Sequence, residues 1–212
     1  SRHFNMLLTF EDSYYSDKIQ NIAGVDEAGR GPLAGPVVAC AIVLPRMYLN
    51  NEVNDSKQLS AKKRRLLFND IIANALSYGI GIVSPETIDE INIYQASKLA
   101  MKMALDQISV PIDLIMTDAM PLQGHDVPVL NIIKGDAKVR AIAAASILAK
   151  VIRDDIMLDL DKQYPDFGFK NNKGYPTTAH IQALMRNGPI KGIHRYSYRP
   201  VARLLFDRVS LL

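Results

Sequence analysis

The hydrophobic and polar positions of this chain follow two different periods. Short apolar runs rich in Val, Ile and Ala, each bounded by Gly, Pro or polar residues, are typical of buried β-strands. These predicted strands are residues 22–25, 37–44, 78–83, 113–117 and 127–133. Apolar residues spaced three or four positions apart are typical of helices packed on a core. These predicted helices are residues 60–76, 94–108, 137–160, 177–186 and 199–209.

The order of these elements predicts the fold class. Strands come first and then alternate with helices, which favours an α/β fold on a sheet of mixed strand directions. Ser60 is placed to cap the first helix, and Ser84 followed by Pro85 has the sequence of a second helix start. The segment 137–160 is rich in alanine, so it can pack closely against the sheet.

The length and composition suit one domain. The chain has 212 residues, of which 48% are hydrophobic and 22% charged. We expect one monomeric domain over residues 1–212, in which 162–212 form a basic helical C-terminal extension. Cys40 is the one cysteine and lies in an apolar run, which favours a reducing compartment. Because there is no signal pattern and no apolar run long enough to cross a bilayer, we expect a cytoplasmic protein without a membrane partner.

Positive charge is concentrated toward the C-terminal end. Residues 162–212 contain nine Lys or Arg and two Asp, a net charge of +7, whereas the whole chain carries +3. Such a segment is typical either of a solvated helix surface or of a surface that binds a polyanion. His180 and His194 lack metal-ligand spacing, so we expect them to be structural or to face a phosphate. We also expect His194 and Arg195 to join the basic surface.

Four acidic residues stand where apolar runs end: Asp26, Glu27, Asp118 and Asp136. Clustered carboxylates repel one another unless a positive group lies between them. In a slightly basic protein, a divalent metal ion is a fitting group, because hard cations prefer oxygen ligands. Two such metals held by carboxylates are a common device for cutting phosphodiesters. The pattern therefore predicts a metal-dependent nuclease site.

The segment GVDEAGRG at residues 24–31 has the glycine spacing of a phosphate-binding loop but not its chemistry. Arg30 and Gly31 stand where Lys and a hydroxyl residue are needed. Consecutive strand residues point to opposite faces, so Asp26 and Glu27 serve one site only if the strand ends or bulges there. Glycine would then let bare backbone approach a ligand, and Arg30 is suited to hold a phosphate. The alternative is a polar turn, which leaves the adjacent acids unexplained.

Asp118 and Asp136 each have a simpler interpretation. Asp118 is also typical of a turn before Pro121, and Asp136 of an N-cap before a long helix. Both interpretations are compatible with a site, because α/β folds place their sites where strands lead into helices.

A second candidate for ligand binding is KGYP at residues 173–176. An exposed aromatic beside a cation is usual where proteins stack on nucleic acid. The alternative is a turn tyrosine that fills a surface notch.

Taken together, these motifs resemble type 2 ribonuclease H, the bacterial ribonuclease HII family. The resemblance spans about residues 20–202 in order. It is carried by GVDEAGRGPLAGP at 24–36, NDSKQLS at 54–60, KGD at 134–136, AASILAK at 144–150, RD at 153–154, KGYP at 173–176 and HR at 194–195. One departure is Ala119, which follows Asp118 where the family usually has Gly, so its methyl group is expected to shift the backbone slightly.

The resemblance implies an RNase H-like fold, with a mixed five-stranded central sheet flanked by helices and a C-terminal helical extension. It implies that two divalent ions, Mg²⁺ or Mn²⁺, are bound by the catalytic acids Asp26, Glu27, Asp118 and Asp136. It also implies a substrate-binding group made of Gly29, Arg30, Gly31, Lys57 and Tyr175. In that group, residues 29–31 read the 2′-hydroxyl, Lys57 contacts a phosphate and Tyr175 stacks on a deoxyribose.

The resemblance implies two kinds of substrate, RNA–DNA hybrids and duplex DNA with embedded ribonucleotides, cut on the 5′ side of a ribonucleotide to leave 3′-hydroxyl and 5′-phosphate ends. Two alternatives stay open. A non-catalytic nucleic-acid-binding module would bind without cutting, and a junction resolvase of the same superfold would also use acidic residues. Fold alone does not separate these possibilities.

Overall fold

The computed structural model describes residues 10–48, 53 and 58–210, with side chains described up to residue 207. The strands are β1 (Ile22–Ala28), β2 (Val37–Val43), β3 (Ser77–Val83), β4 (Leu114–Asp118) and β5 (Val129–Ile132). The helices are α1 (Ala61–Asn74), α2 (Pro85–Asp106), α3 (Arg140–Gln163), α4 (Phe169–Asn172), α5 (Thr178–Asn187) and α6 (Arg199–Ser210). The five predicted strands are confirmed, and each predicted helix has a counterpart.

The five strands form one mixed sheet in the order β3-β2-β1-β4-β5. β1, β2 and β3 pair antiparallel, whereas β1, β4 and β5 pair parallel. The ladder between β1 and β4 ends with Val25 paired to Thr117. Asp26 and Asp118 are the next residues of these two strands, so parallel pairing brings them to the same end of the sheet.

Helices cover both faces of the sheet. Alanine-rich α3 packs on one face with Ile42, Met116 and Leu148 in a buried cluster, and α2 packs on the other face with Val25 and Ile115. The approach of α3 to β1 is close, since a β-carbon on Gly24 would lie 2.3 Å from the carbonyl carbon of Ala141. Such packing is what short side chains along a helix permit.

A third hydrophobic cluster joins the C-terminal helices to the loop after β1. Leu33 and Ala34 from that loop pack with Phe167, Phe169 and Leu184. Backbone hydrogen bonds reinforce this contact: the N–H of Leu33 donates to Gly174, that of Gly35 to Ile193, and that of Arg195 to Leu33. These contacts hold the C-terminal segment against the loop that follows the GVDEAGRG motif.

The predicted helix start at Ser84 and Pro85 is confirmed, whereas the extent of α2 and the start of α3 differ from the sequence prediction. α2 begins at Pro85, capped by Ser84, and continues past a non-helical residue, Asn92, whose side chain accepts from the N–H of Gln95. The Asn92 side chain caps the part of α2 that follows it, so the helical structure continues. The helix predicted at 94–108 corresponds to this second part of α2. α3 begins at Arg140, because residues Gly135–Ala137 form a 3-10 turn.

Within the described part of the chain, helices are all too short or too polar to serve as a membrane span.

Candidate active site

Three of the four predicted acids meet at one end of the sheet. Asp26 lies near the end of β1, Asp118 ends β4, and Asp136 lies in the 3-10 turn that precedes α3. Carboxylate oxygens of the three lie within 4.8 Å of one another. Asp136 is therefore not the N-cap of α3, whose cap position is Val139.

The turn with Asp136 is fastened to the end of β4. The N–H of Gly135 donates to Oδ1 of Asp118 at 3.1 Å. A β-carbon on Gly135 would lie 2.7 Å from Cδ1 of Ile142, so the end of that side chain would have to move. Glycine at 135 therefore lets the turn that carries Asp136 pack directly on Ile142.

Ala119 follows Asp118 in a left-handed backbone conformation, with φ of 59°. Its N–H donates to the carbonyl of Ile132, which keeps the chain end of β4 against β5. A residue with a β-carbon is strained in this region, which glycine adopts freely. The methyl group therefore has a local energetic cost, while Asp118 keeps its place in the cluster.

Glu27 lies beside the cluster, outside the 4.8 Å group of the three aspartates. It is the next residue of β1, and its side chain lies close enough to that of Asp26 for each carboxyl group to influence the pKa of the other. Its N–H donates to Oδ1 of Asp26 at 2.8 Å, and Oε1 lies 3.8 Å from Nη1 of Arg30. Oε2 is buried without a hydrogen-bond partner among the described residues, an uncommon state for a carboxylate oxygen.

The electrostatics of the cluster favour a bound cation. Burial raises the pKa of Asp26 well above its usual value, and the nearby charges of Glu27 and Asp118 raise it further. Burial also raises the pKa of Glu27. The raised pKa of Asp26 shows that its ionised carboxylate lacks full compensation from the protein, whereas Arg30 offsets part of the effect of burial on Glu27. Together with the partnerless Oε2 of Glu27, this all-oxygen set fits a hard divalent cation.

A cleft of about 270 Å³ adjoins the cluster through Glu27. It is lined by Glu27, Ala28, Gly29, Arg30, Gly31, Lys150, Arg153, Asp154 and Tyr175. The predicted substrate-binding residues 29–31 and 175 thus meet in one cleft, although more than 140 positions separate them along the chain. Lys57 lies outside the described residues, so its phosphate contact stays a prediction.

The glycine at position 29 is required by its surroundings. Its φ is 92°, and a β-carbon there would lie 2.1 Å from Nε of Arg153. That buried arginine donates to three carbonyls, those of Ala34, Pro36 and Lys173. Arg153 therefore ties the loop after β1 to the loop that carries Tyr175. Its burial lowers the pKa of the guanidinium to about 10, so it stays charged at neutral pH.

Tyr175 is 45% exposed, and its ring lies beside Gly31. A β-carbon on Gly31 would lie 3.4 Å from its Cε1 atom. The carbonyl of Tyr175 accepts from Nδ1 of His180, whose Nε2 lies 3.0 Å from Nε2 of His194. Because the N–H of Ile190 donates to Nδ1 of His194, hydrogen bonding assigns both rings as neutral, with the proton of His194 on Nε2.

The expectation that His194 and Arg195 join the basic surface is wrong. His194 is 1% exposed and Arg195 is fully buried. Burial lowers the pKa of His194 to about 3, and the second cause is the neighbouring His180. The structural alternative stated for the two histidines is thus confirmed.

Lys150, Arg153 and Asp154 line the cleft, although sequence reasoning gave them no role. Their signal was the spacing i, i+3 and i+4 on a predicted helix, which places the three side chains on one face. Lys150 and Asp154 form an ion pair of 3.2 Å at the rim.

The mixed sheet, with carboxylates at the ends of adjacent parallel strands, defines a protein of the RNase H-like fold class. Ribonuclease H2 from Pyrococcus horikoshii OT3 has a similar structure, with a TM-score of 0.77, 28% identity, and coverage of 88% of this chain and 98% of that one. The fold is also that of Bst-RNase HIII in complex with Mn²⁺, with a TM-score of 0.66, 15% identity, and coverage of 90% and 71%.

The sequence narrows the class further. The family model for ribonuclease HII matches residues 23–201. Ribonuclease HII of Lactobacillus delbrueckii subsp. bulgaricus is 47% identical over 197 residues, which cover 93% of this chain and 76% of that protein. The chain belongs to the ribonuclease HII family. It is therefore a hydrolase, a ribonuclease H of type 2.

Proposed function

We propose that this chain is an endonuclease that cuts RNA–DNA hybrids and duplex DNA containing single ribonucleotides. It cuts the phosphodiester on the 5′ side of a ribonucleotide and leaves 3′-hydroxyl and 5′-phosphate ends. One observation supports this proposal above all: the cluster of Asp26, Asp118 and Asp136 lies next to a cleft that is lined by bare backbone and by Tyr175.

The acidic residues hold the cations. Asp26, Asp118 and Asp136 offer oxygens within 4.8 Å of one another, and Glu27 offers a buried oxygen without a hydrogen-bond partner. This set suits two divalent ions, Mg²⁺ or Mn²⁺, since both prefer oxygen ligands. Such ions supply activation of a water molecule and stabilisation of the leaving oxygen in phosphodiester hydrolysis. The role of the carboxylates is to hold these ions at one end of the sheet.

The cleft residues select the substrate. Gly29, Arg30 and Gly31 present backbone groups to a ribose, and the 2′-hydroxyl is the group by which RNA differs from DNA. The exposed guanidinium of Arg30 is suited to a phosphate near the cut. The exposed face of Tyr175 is suited to stack on the sugar of the adjoining deoxynucleotide. The enzyme would thus favour a junction between RNA and DNA.

The C-terminal extension holds the duplex without reading its sequence. Most of its cations are exposed: Lys162, Lys170, Arg186, Lys191, Arg199 and Arg203. Contacts of this kind bind phosphates and weaken as salt rises. One chain supplies the acidic cluster, the cleft and these cations, which supports a monomer as the active form. The single cysteine, Cys40, is buried, which suits a cytoplasmic enzyme.

The test is a labelled DNA duplex with one ribonucleotide, incubated with Mg²⁺, with Mn²⁺ or with chelator. We expect cutting on the 5′ side of the ribonucleotide only when metal is present, while the matching all-DNA duplex stays whole. Binding without cutting under every metal would instead support a non-catalytic binding module. Cutting of the all-DNA duplex would contradict the role given to residues 29–31.

A further inference from the structure

Arg195, on the segment between α5 and α6, is a fully buried arginine whose hydrogen bonds to the described residues all go to carbonyls and one hydroxyl. Its guanidinium donates to the carbonyl of Gly29 at 2.6 Å, to that of Arg30 at 3.0 Å and to that of Gly35 at 3.0 Å. It also donates to the hydroxyl of Tyr198 at 2.9 Å, and that hydroxyl donates to the same Arg30 carbonyl. Among residues 10–48, 53 and 58–207, no carboxylate forms a salt bridge with it.

These hydrogen bonds fix the direction of two peptide groups. In a trans peptide the carbonyl of one residue and the N–H of the next point in opposite directions, and the described chain has no cis peptides. With the carbonyls of Gly29 and Arg30 held toward Arg195, the N–H groups of Arg30 and Gly31 point the other way. Residues 29–31 line the cleft and Arg195 does not, so these two N–H groups face the cleft side.

The same two N–H groups are free to bind a ligand. Neither donates to another described residue, whereas the neighbouring loop residues Leu33 and Gly35 both donate to backbone carbonyls. A carbonyl that accepts from a cation also makes the N–H of its own peptide group a better donor, because hydrogen bonds in series polarise one another. The arrangement is a pair of aligned donors with a buried positive charge behind them.

We propose that Arg195 is the positioning residue that sets the selectivity for a 2′-hydroxyl, by holding the peptide groups of Gly29 and Arg30 with their N–H donors toward the bound ribose. Tyr198 supports it through the Arg30 carbonyl. This inference rests on the proposed function, in which residues 29–31 read the 2′-hydroxyl. Arg195 does not touch the substrate.

A guanidinium suits this role better than an ammonium. The three carbonyls are reached by Nε, Nη1 and Nη2 of one planar group, so their relative positions are set by its rigid geometry. A lysine at 195 would keep the charge and the length of the side chain, but its single nitrogen cannot hold three carbonyls in that plane. The Arg195→Lys variant therefore keeps the positive charge but loses the geometry that fixes the N–H donors of Arg30 and Gly31.

The experiment measures binding in an Asp118→Asn parent, which is expected not to cut. The dissociation constant is determined with Mg²⁺ for a duplex with one ribonucleotide and for the matching all-DNA duplex. The ratio of the two constants reports 2′-hydroxyl selectivity. The variants added to the parent are Arg195→Lys, Tyr198→Phe and, as a matched control, Arg65→Lys, which alters an exposed arginine paired with Asp155.

We expect Arg195→Lys to lower the ratio about tenfold by weakening only the ribonucleotide duplex, the effect of misaligned hydrogen-bond donors. Tyr198→Phe should lower it by a smaller factor, and Arg65→Lys should leave it unchanged. If Arg195→Lys does not fold, as judged by circular dichroism, Tyr198→Phe decides. An unchanged ratio in the folded variant, or an equal loss of affinity for both duplexes, would overturn the inference.

The same binding data distinguish a failure of the proposed function from a failure of the role given to Arg195. An Asp118→Asn parent that binds both duplexes equally would overturn 2′-hydroxyl reading by residues 29–31, and this inference with it. A parent that discriminates, together with a folded Arg195→Lys variant that discriminates as well, would overturn the role of Arg195 alone. Cutting by the wild-type enzyme is measured separately and tests the acidic cluster.

Discussion

The ring of Tyr175 lies beside Gly31, so close that a β-carbon on Gly31 would be in van der Waals contact with it, 3.4 Å from Cε1. The wall of the cleft at this point is therefore bare peptide next to an aromatic ring. Gly31 and Tyr175 are far apart in the sequence, and no sequence pattern predicts their contact. The hydrogen bond from the N–H of Leu33 to the carbonyl of Gly174 holds the two loops together.

Substitutions at the two glycines of this loop should have different effects. Gly31→Ala places a methyl group in the cleft at an ordinary contact distance, so the protein should fold with an unchanged melting temperature. Cutting at a single ribonucleotide should fall about 10- to 100-fold, because the ribose is displaced from the donors. Gly29→Ala should instead lose about 2–4 kcal/mol of stability, because φ is 92° and the methyl group meets Arg153.

Thermal unfolding and cleavage rates measured side by side check this pair. Gly31→Ala is the matched control for Gly29→Ala, since both changes add one methyl group to the same loop. A Gly31→Ala enzyme that cuts at the wild-type rate would remove Gly31 from the ribose site.

Tyr175→Ala should weaken cutting at single ribonucleotides more than cutting of long RNA–DNA hybrids. The stacking surface for the adjoining deoxyribose matters only at a junction, so its loss leaves cutting within a long hybrid less affected. Cleavage rates on the two substrates give the comparison, with Tyr94→Ala as control because Tyr94 has similar exposure, 39%, and does not line the cleft. Equal losses on both substrates would count against junction sensing.

Asp26→Asn should nearly abolish turnover and stabilise the metal-free protein. Asp26 is 6% exposed, and burial with neighbouring carboxylates raises its pKa. Removing that uncompensated charge should raise the melting temperature in chelator, by about 2–4 °C for each kcal/mol gained. Activity should fall about 100-fold or more. Mg²⁺ should stabilise the wild type more than the variant, and a lower melting temperature of the variant in chelator would contradict this account.

Ala119→Gly should stabilise the protein without loss of activity. Relief of the left-handed strain at φ 59° gains about 1–2 kcal/mol, and the greater freedom of glycine in the unfolded chain offsets part of it. We expect a net gain of about 0.5–1 kcal/mol in chemical denaturation. Ala137→Gly provides the control, since that residue is not in the left-handed region and should be destabilised. A loss of stability in Ala119→Gly would show that strain at this position is absent.

The pair of His180 and His194 predicts a loss of stability in acid. Burial lowers the pKa of both rings, that of His194 to about 3, whereas unfolded histidine titrates near 6.5. Between those values the unfolded chain binds more protons, so this stabilisation is present above pH ~6.5 and is lost as pH falls. The slope is about 1.4 kcal/mol per pH unit for each histidine.

The measurement is the free energy of unfolding from pH 7.5 to 5, in wild type and in His194→Gln. Asp26 and Glu27, with raised pKa values, give a slope of opposite sign, so the difference between the two proteins isolates the histidine. We expect the variant to lose less stability than the wild type as pH falls. Parallel pH profiles would mean that His194 does not remain neutral in the folded protein.

Local patterns in the sequence predicted most of the fold. Ser60 and Ser84 cap helices as predicted, Thr177 is the cap of the helix predicted to begin there, and the apolar runs form the sheet. Boundaries were less accurate near 92 and 137, because a side-chain cap at Asn92 and a 3-10 turn before Arg140 are decided by a few local hydrogen bonds.

The residues of the candidate site were visible in the sequence, because acids after apolar runs and glycines beside an arginine are unusual where no ligand is bound. Which of them meet was decided by tertiary structure. Parallel pairing of β1 and β4 set Asp26 beside Asp118, and the folded chain leaves Glu27 at the side of the cluster. Arg195 looked like one more cation of a basic segment, yet its contacts with Gly29 and Arg30 bury it. The sequence by itself determines the type and charge of each residue. The burial of a residue and its interaction partners are decided only when distant segments of the chain pack together.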